Sequence, residues 1–365
     1  LAQMQSFLPQ RFRQGVARAD RAALRAFRQF LQSRLQAEHA WLGQPIWLVD
    51  TGDGTTAGDT ESLMEWSQWS RDFRQAAGPM AQLVQVYGNH DAWPGVFPLL
   101  APQSMDEHRD RLRKHWFKKA MPEPALSVAI PGSGGSRVEI YTANTVDHRL
   151  LQNTFAWGIA APDLWWQPNP PMPGPTPAHD IERMAGTFAD NGLGAHLRIL
   201  ATHYPVAAAA NPHVITEQLV NRNAFAHELS IRHRVSRPLV HLLLSGHTHA
   251  AFPVVGHWPT ELADCDHGPL STGVCQVVSG TLSQQQAAPQ ERGSAEAPSH
   301  AERLARVYPF QFSWIRLYAQ RGNPRELVLE RQVMMRGSAG EFRAAQTAAG
   351  SMVSIQSMRV SLAAS

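Results

Sequence analysis

Apolar positions along the chain follow two alternating rhythms. Short, nearly continuous apolar runs recur at Ile46-Trp47-Leu48-Val49, Leu83-Val84-Gln85-Val86-Tyr87, Leu197-Arg198-Ile199-Leu200 and Leu239-Val240-His241-Leu242-Leu243-Leu244. Runs of this length predict strands buried in a sheet. Further strands are predicted over 137–142, 274–278, 310–318 and 326–333. Between them the spacing changes to three and four. Leu24, Phe27, Leu31 and Leu35 form one helical stripe, within a helix expected over roughly 5–40. Leu63, Trp66, Trp69 and Phe73 form another, with Asp59 or Thr60 as its N-cap. Ile181, Met184 and Phe188 share a face ahead of Gly192, a natural helix terminator, and a further helix is expected near 215–232. Helix and strand in alternation predict an α/β domain.

Several stretches interrupt this alternation. Residues 92–135 read as an excursion, with a charged helical run at 106–119 and a Pro-Gly-Ser-Gly-Gly-Ser loop at 131–136. Residues 163–178 hold too many prolines for a helix or a central strand, so their Trp165 and Trp166 are expected to anchor an exposed loop. The polar stretch 284–301 reads as a surface loop. One domain over 1–335 is therefore expected, with insertions at about 92–135 and 163–178. Residues 336–365 read as a low-information, Ala/Ser/Gln-rich tail.

Composition narrows the class without choosing a function. At 365 residues, 43% hydrophobic and 17% charged, the chain can bury about three quarters of its unfolded surface and needs no staple to fold. A net charge of +3 does not indicate nucleic acid. Much of the basic excess is local: Arg11, Arg13, Arg18, Arg21, Arg25, Arg28 and Arg34 crowd the first 40 residues. No apolar stretch approaches the ~18 residues of a membrane span, and no secretory signal is visible, so a cytoplasmic location is expected. Cys265 and Cys275 flank a turn-rich segment, where pairing and free thiols are equally compatible with the spacing. Without a CxxC they suggest no zinc site.

The chemistry gathers where the strands end. Gly52-Asp53, Gly88-Asn89-His90-Asp91, Thr202-His203-Tyr204-Pro205 and Gly246-His247-Thr248-His249 each follow one of the four apolar runs. Ligands of open α/β sheets collect beyond the carboxyl ends of the strands. Asp53 offers two carboxylate oxygens, Asn89 an amide oxygen, and His203, His247 and His249 imidazole nitrogens. Mixed O and N donors suit Mn, Fe, Zn or Co better than calcium. Two such cations, held about 4 Å apart, would clamp a phosphoryl group and acidify a water for in-line attack. His90 is placed to give the leaving alkoxide its proton, with Asp91 available to hold the imidazole. Any one of these residues alone would read as a turn or surface group; their order at four strand ends argues for a site.

Taken together, Gly52-Asp53, Gly88-Asn89-His90-Asp91, His203 and Gly246-His247-Thr248-His249 resemble the signature of the calcineurin-like metallophosphoesterase superfamily. The resemblance covers roughly residues 40–285, and Gly280-Thr281 is similar to the turn after its closing strand. It implies a four-layer fold, a two-sheet β-sandwich flanked by helices, with two transition-metal ions. It also implies hydrolysis of a phosphate-ester substrate, monoester or diester. By position, Asp53 would bridge the metals, Asn89, His203 and His247 would complete one site, and His249 would serve the other. His90 would be the catalytic histidine, and Asp91 in place of Glu looks more like the phosphodiesterase branches.

One element of that pattern is missing. The superfamily opens on a strand carrying Asp-x-His, and no such motif precedes Asp53. Asp106-Glu107-His108 and Asp266-His267 lie in the wrong places to replace it. The expectation is a chain that begins just after that strand. The competing expectation is an inactive relative that keeps the fold as a binding or scaffold module.

Overall fold

The computed structural model describes residues 20–35, 38, 45–55, 58, 60–92, 124–143, 196–204, 240–247, 275–282, 310–337, 339–345 and 356–362. The expected helices at 181–192 and 215–232, the charged run at 106–119, the loops at 163–178 and 284–301, and Cys265 lie outside these residues.

The fold is mixed α/β with several sheets. Strand β1 (Ile46–Asp50) pairs in parallel with β2 (Ala81–Gln85), Ile46 opposite Ala81. The second sheet has the order β3-β4-β5-β6-β7, formed by Leu126–Ala129, Arg137–Thr142, Leu197–Ala201, Leu242–Ser245 and Cys275–Val278. Its β3–β4 pair is antiparallel and the other pairs are parallel. All of β5 and β6 is buried, as their continuous apolar runs require of central parallel strands. The third sheet is built on the long strand β9 (Asn323–Arg336). On one side it pairs with β8 (Gln311–Gln320), and on the other it is shared between β10 (Phe342–Ala344) and β11 (Gln356–Ser361).

Two apolar clusters show how these pieces layer. In one, Val84 and Val86 of the β2 segment meet Val138, Ile140, Ile199, Leu242, Leu244 and Val277 of the five-stranded sheet and Leu327, Leu329 and Val360 of the third. In the other, helix α1 (Arg21–Phe30) and helix α2 (Thr60–Ala77) pack through Leu24, Phe27, Phe30, Phe73 and Ala77 onto Phe310, Met334 and Phe342. Strand alternation divides the contacts: Trp47 and Val49 reach the first cluster, Ile46 and Leu48 the second. β8 repeats the division, with Ile315 and Leu317 on one side and Phe312 and Trp314 on the other.

Aromatic packing dominates the docking of the helices. Phe27 meets Phe73 and Phe312 edge-on at 5.0 and 4.9 Å, and Phe30 meets Trp314 at 5.1 Å. Each buried phenyl contributes about 2–3 kcal/mol. The Arg21–Glu65 pair between the helices spans 3.1 Å but leaves its side chains 67% and 43% exposed, so it adds at most about 1 kcal/mol.

Three expectations need correction. The single helix expected over 5–40 is interrupted at Asp20, which caps α1 at Arg21 by accepting from the Ala22 and Ala23 amides at 2.8 and 3.1 Å, while residues 5–19 lie outside the described residues. α1 then loosens into a π-helical turn over Leu31–Leu35. The supposed excursion at 92–135 contributes β3 to the five-stranded sheet, and the glycine-rich loop is the β3–β4 hairpin connection. The supposed tail at 336–365 supplies β10 and β11. Its weak apolar content suits an edge strand that buries one face, as Val360 does while Arg359 and Ser361 stay exposed.

Candidate metal centre

Hydrogen bonds that continue the strand ladders bring the strand ends together. Val86 N donates to Asp50 O at 2.9 Å and Thr202 N to Leu244 O at 2.8 Å; Gly246 N donates to His203 O at 3.0 Å. The chain leaves β1 through Gly52, at φ +98, and Asp53, at φ +59. A side chain on Gly52 would also stand 2.6 Å from Gly88 N and 2.7 Å from His203 Nδ1. Among the described residues, the two non-glycines with left-handed backbone are Asp53 and His247, the latter at φ +67. Such conformations cost about 1 kcal/mol or more and persist where the surroundings enforce them, often at functional sites.

Asp53, His203 and His247 converge. One ligand atom from each lies within 4.8 Å of the others. His203 is fully buried, with Nε2 3.4 Å from Asp53 Oδ2 and 3.1 Å from His247 Nδ1. Its Nδ1 lies 2.8 Å from the Thr51 carbonyl. A carbonyl only accepts, so Nδ1 carries the proton and the lone pair of the neutral ring is on Nε2, aimed at the other two ligands. The ring of Tyr204 packs against both imidazoles, 5.0 Å from His203 and 4.3 Å from His247.

The turn after β2, Asn89–Ala92, closes the site from the other side. His90 N donates to Asp53 Oδ1 at 2.9 Å, and the His90 residue is half-buried. Asp91, 3% exposed, accepts at Oδ2 from Asp53 N and Gly88 N, both at 2.9 Å. At Oδ1 it accepts from Thr55 N at 2.9 Å and Thr55 Oγ1 at 2.8 Å. Asp91 thus ties the Asp53 loop to the β2 turn, a positioning role that sequence alone does not suggest. Asn89 takes part in the turn through its backbone; its side chain and all of His249 lie outside the described residues.

Charge accumulates at this point. Burial, then the charge of Asp53, pushes the Asp91 carboxyl up to about 6. Burial, opposed by its hydrogen bonds, also raises Asp50. For His203 burial pulls toward the neutral ring, but Asp53 and the Thr51 carbonyl together hold its pKa above the ordinary value. Burial and Asp53 likewise raise the Tyr204 phenol. The buried Asp53 carboxylate against the His203 imidazole, with the buried Asp91 behind it, makes a setting that a cation would relieve. One carboxylate and two imidazole nitrogens fit a transition metal better than calcium or magnesium.

Asp50 is the residue that motif reading misses. It ends the first apolar run three positions before Asp53, and a carboxylate in that place reads as an ordinary turn residue.

The close fit of Gly88 makes a prediction. A Cβ there would lie 2.0 Å from Asp53 Oδ1 and 2.5 Å from Asp53 N. Gly88→Ala must therefore displace the Asp53 carboxylate, and Mn²⁺ affinity should fall about 10–100-fold by calorimetry while far-UV circular dichroism stays unchanged.

No family model matches the chain, and no curated protein does either. Among solved structures it is similar to a dimetal phosphatase from Danio rerio, with 12% identity and a TM-score of 0.45 over 95% of this chain and 91% of that one. So distant a likeness carries no argument; the functional reading rests on the site residues. Among the described residues, no helix is long and apolar enough to cross a membrane.

Proposed function

We propose that this chain is a metal-dependent phosphoesterase. The observation that carries the reading is the convergence of Asp53, His203 and His247, with the His203 tautomer set by Thr51. The resemblance in the strand-end motifs adds Asn89 and His249 as ligands of a two-ion centre and a four-layer sandwich as its scaffold. A divalent cation bound here would supply charge neutralisation at a phosphoryl oxygen and acidify a water. The chain's own groups do the rest. Thr51 and Asp53 orient His203, Asp91 holds the loop that carries Asp53, and His90, tied through its backbone to Asp53, gives the leaving alkoxide a proton. Buried carboxylates that repel further anions leave phosphate binding dependent on the cation, so activity should require added metal.

The test is hydrolysis of bis-p-nitrophenyl phosphate and p-nitrophenyl phosphate with Mn²⁺, for wild type and His90→Ala. Metal-dependent turnover is expected, reduced about 10²–10⁴-fold in His90→Ala with metal affinity retained. The ratio of the two rates assigns diesterase or monoesterase. Tight metal binding without turnover would instead support a binding or scaffold module.

A further inference from the structure

The loop that presents Asp53 is held at both ends by groups outside the ligand set. Asp50 Oδ1 accepts from Gly52 N at 3.1 Å, closing the start of the loop. Asp50 Oδ2 accepts from Trp66 Nε1 of α2 at 3.0 Å and from Gln85 Nε2 of β2 at 3.2 Å. Gln85 Nε2 also donates to Ser70 Oγ of α2 at 3.3 Å. The same Trp66 indole lies against the far end of the loop, where a Cβ on Gly54 would fall 2.1 Å from Trp66 Nε1. One carboxylate and one indole therefore bracket Gly52 and Asp53, the two consecutive residues in left-handed conformation.

We propose that Asp50 and Trp66 are a positioning pair that fixes the Thr51–Gly54 loop, and through it the reach of the Asp53 carboxylate toward the metal. This rests on the metal reading above. Docking α2 would not require such a pair. The helix already buries Leu63, Phe73, Ala76 and Ala77, and an apolar residue at position 50 would cost less than a carboxylate drawn out of water. What the carboxylate adds is an acceptor for the Gly52 amide, in a loop whose backbone strain needs an external hold.

Co²⁺ binding tests the pair, measured by calorimetry and by the visible spectrum of the bound ion, for wild type, Asp50→Asn, Trp66→Phe and the double variant. Asp50→Asn keeps the size but turns an amide donor toward Trp66 and Gln85 or toward Gly52. Trp66→Phe keeps a ring over Gly54 and loses the donor. Each should weaken Co²⁺ binding about tenfold or more and change the spectrum. The double variant should be no weaker than the worse single one, because the pair acts as a unit. Met64→Gln, exposed on α2, should bind as wild type does. If Asp50→Asn fails to fold, Trp66→Phe decides. Wild-type affinity and spectrum in the variants, with only the melting temperature lowered, would overturn the positioning role alone. Failure of the wild type to bind Co²⁺ would overturn the metal reading and the pair with it.

Discussion

Replacing His203 with alanine will abolish metal binding and also destabilise the metal-free protein. The ring has no solvent exposure, and its two nitrogens face different partners: the Thr51 carbonyl at 2.8 Å on one side, Asp53 and His247 at 3.4 and 3.1 Å on the other. Truncation leaves two of the three converging ligands. It also leaves the Asp53 carboxylate buried without the imidazole beside it. Removing one partner of a buried charged pair costs about 3–5 kcal/mol, so the metal-free variant should melt well below wild type. The pH dependence follows from the raised pKa of His203. A group raised on folding contributes stability that is complete below its unfolded pKa, here 6.5, and is lost as pH rises through the higher folded value. The gap between wild type and variant should therefore be wider at pH 6 than at pH 9. Melting curves without metal, and calorimetry with Mn²⁺, measure both effects. Retention of wild-type Mn²⁺ affinity would end the assignment of His203 as a ligand.

How far the sequence discloses this site depends on what each residue must do locally. β5 and β6, which lead to His203 and His247, are legible because both their faces are buried: Leu242–Ser245 has no position at which a polar side chain could meet water. The converging residues Asp53, His203 and His247 stand out because Asp and His just beyond apolar runs at several strand ends have no common packing explanation. β3, β10 and β11 are not legible. Edge strands with one buried face need only a few apolar positions, and Ser127 or Arg359 look the same in a loop. Asp50, and the backbone-holding role of Asp91, escape for another reason. Their roles are in hydrogen bonds to backbone amides and to Trp66, Gln85 and Thr55 from elsewhere in the fold, and composition does not encode such partners.

Asp91 shows how the metal and the scaffold depend on each other, and its substitutions should separate the two. Asp91→Ala strands four donors that its carboxylate now accepts: the amides of Asp53, Thr55 and Gly88 and the Thr55 hydroxyl. At about 1–3 kcal/mol for each buried donor left unmet, partly recovered by rotation of the hydroxyl, the cost is roughly 5 kcal/mol, a large fraction of a typical domain's stability. Asp91→Asn should behave differently. Burial and the charge of Asp53 raise the wild-type carboxyl from 3.8 to about 6, a preference for the neutral acid of about 3 kcal/mol. In the metal-free protein at pH 7 the neutral amide escapes that penalty while losing acceptors, and the two effects nearly cancel. A bound cation removes the advantage of neutrality, so only the loss remains. Asp91→Asn should therefore melt near wild type without metal, yet bind Mn²⁺ about 10–100-fold more weakly. The same balance sets the pH response of the wild type. Without metal, the stability that Asp91 contributes is complete below about 3.8 and lost as pH rises through about 6. Metal favours the ionised carboxylate and the neutral imidazole, which reverses that trend. The rise in melting temperature on adding Mn²⁺ should thus be larger at pH 8 than at pH 5, and an equal or larger rise at pH 5 would contradict a cation seated among Asp53, His203 and His247 with Asp91 behind it.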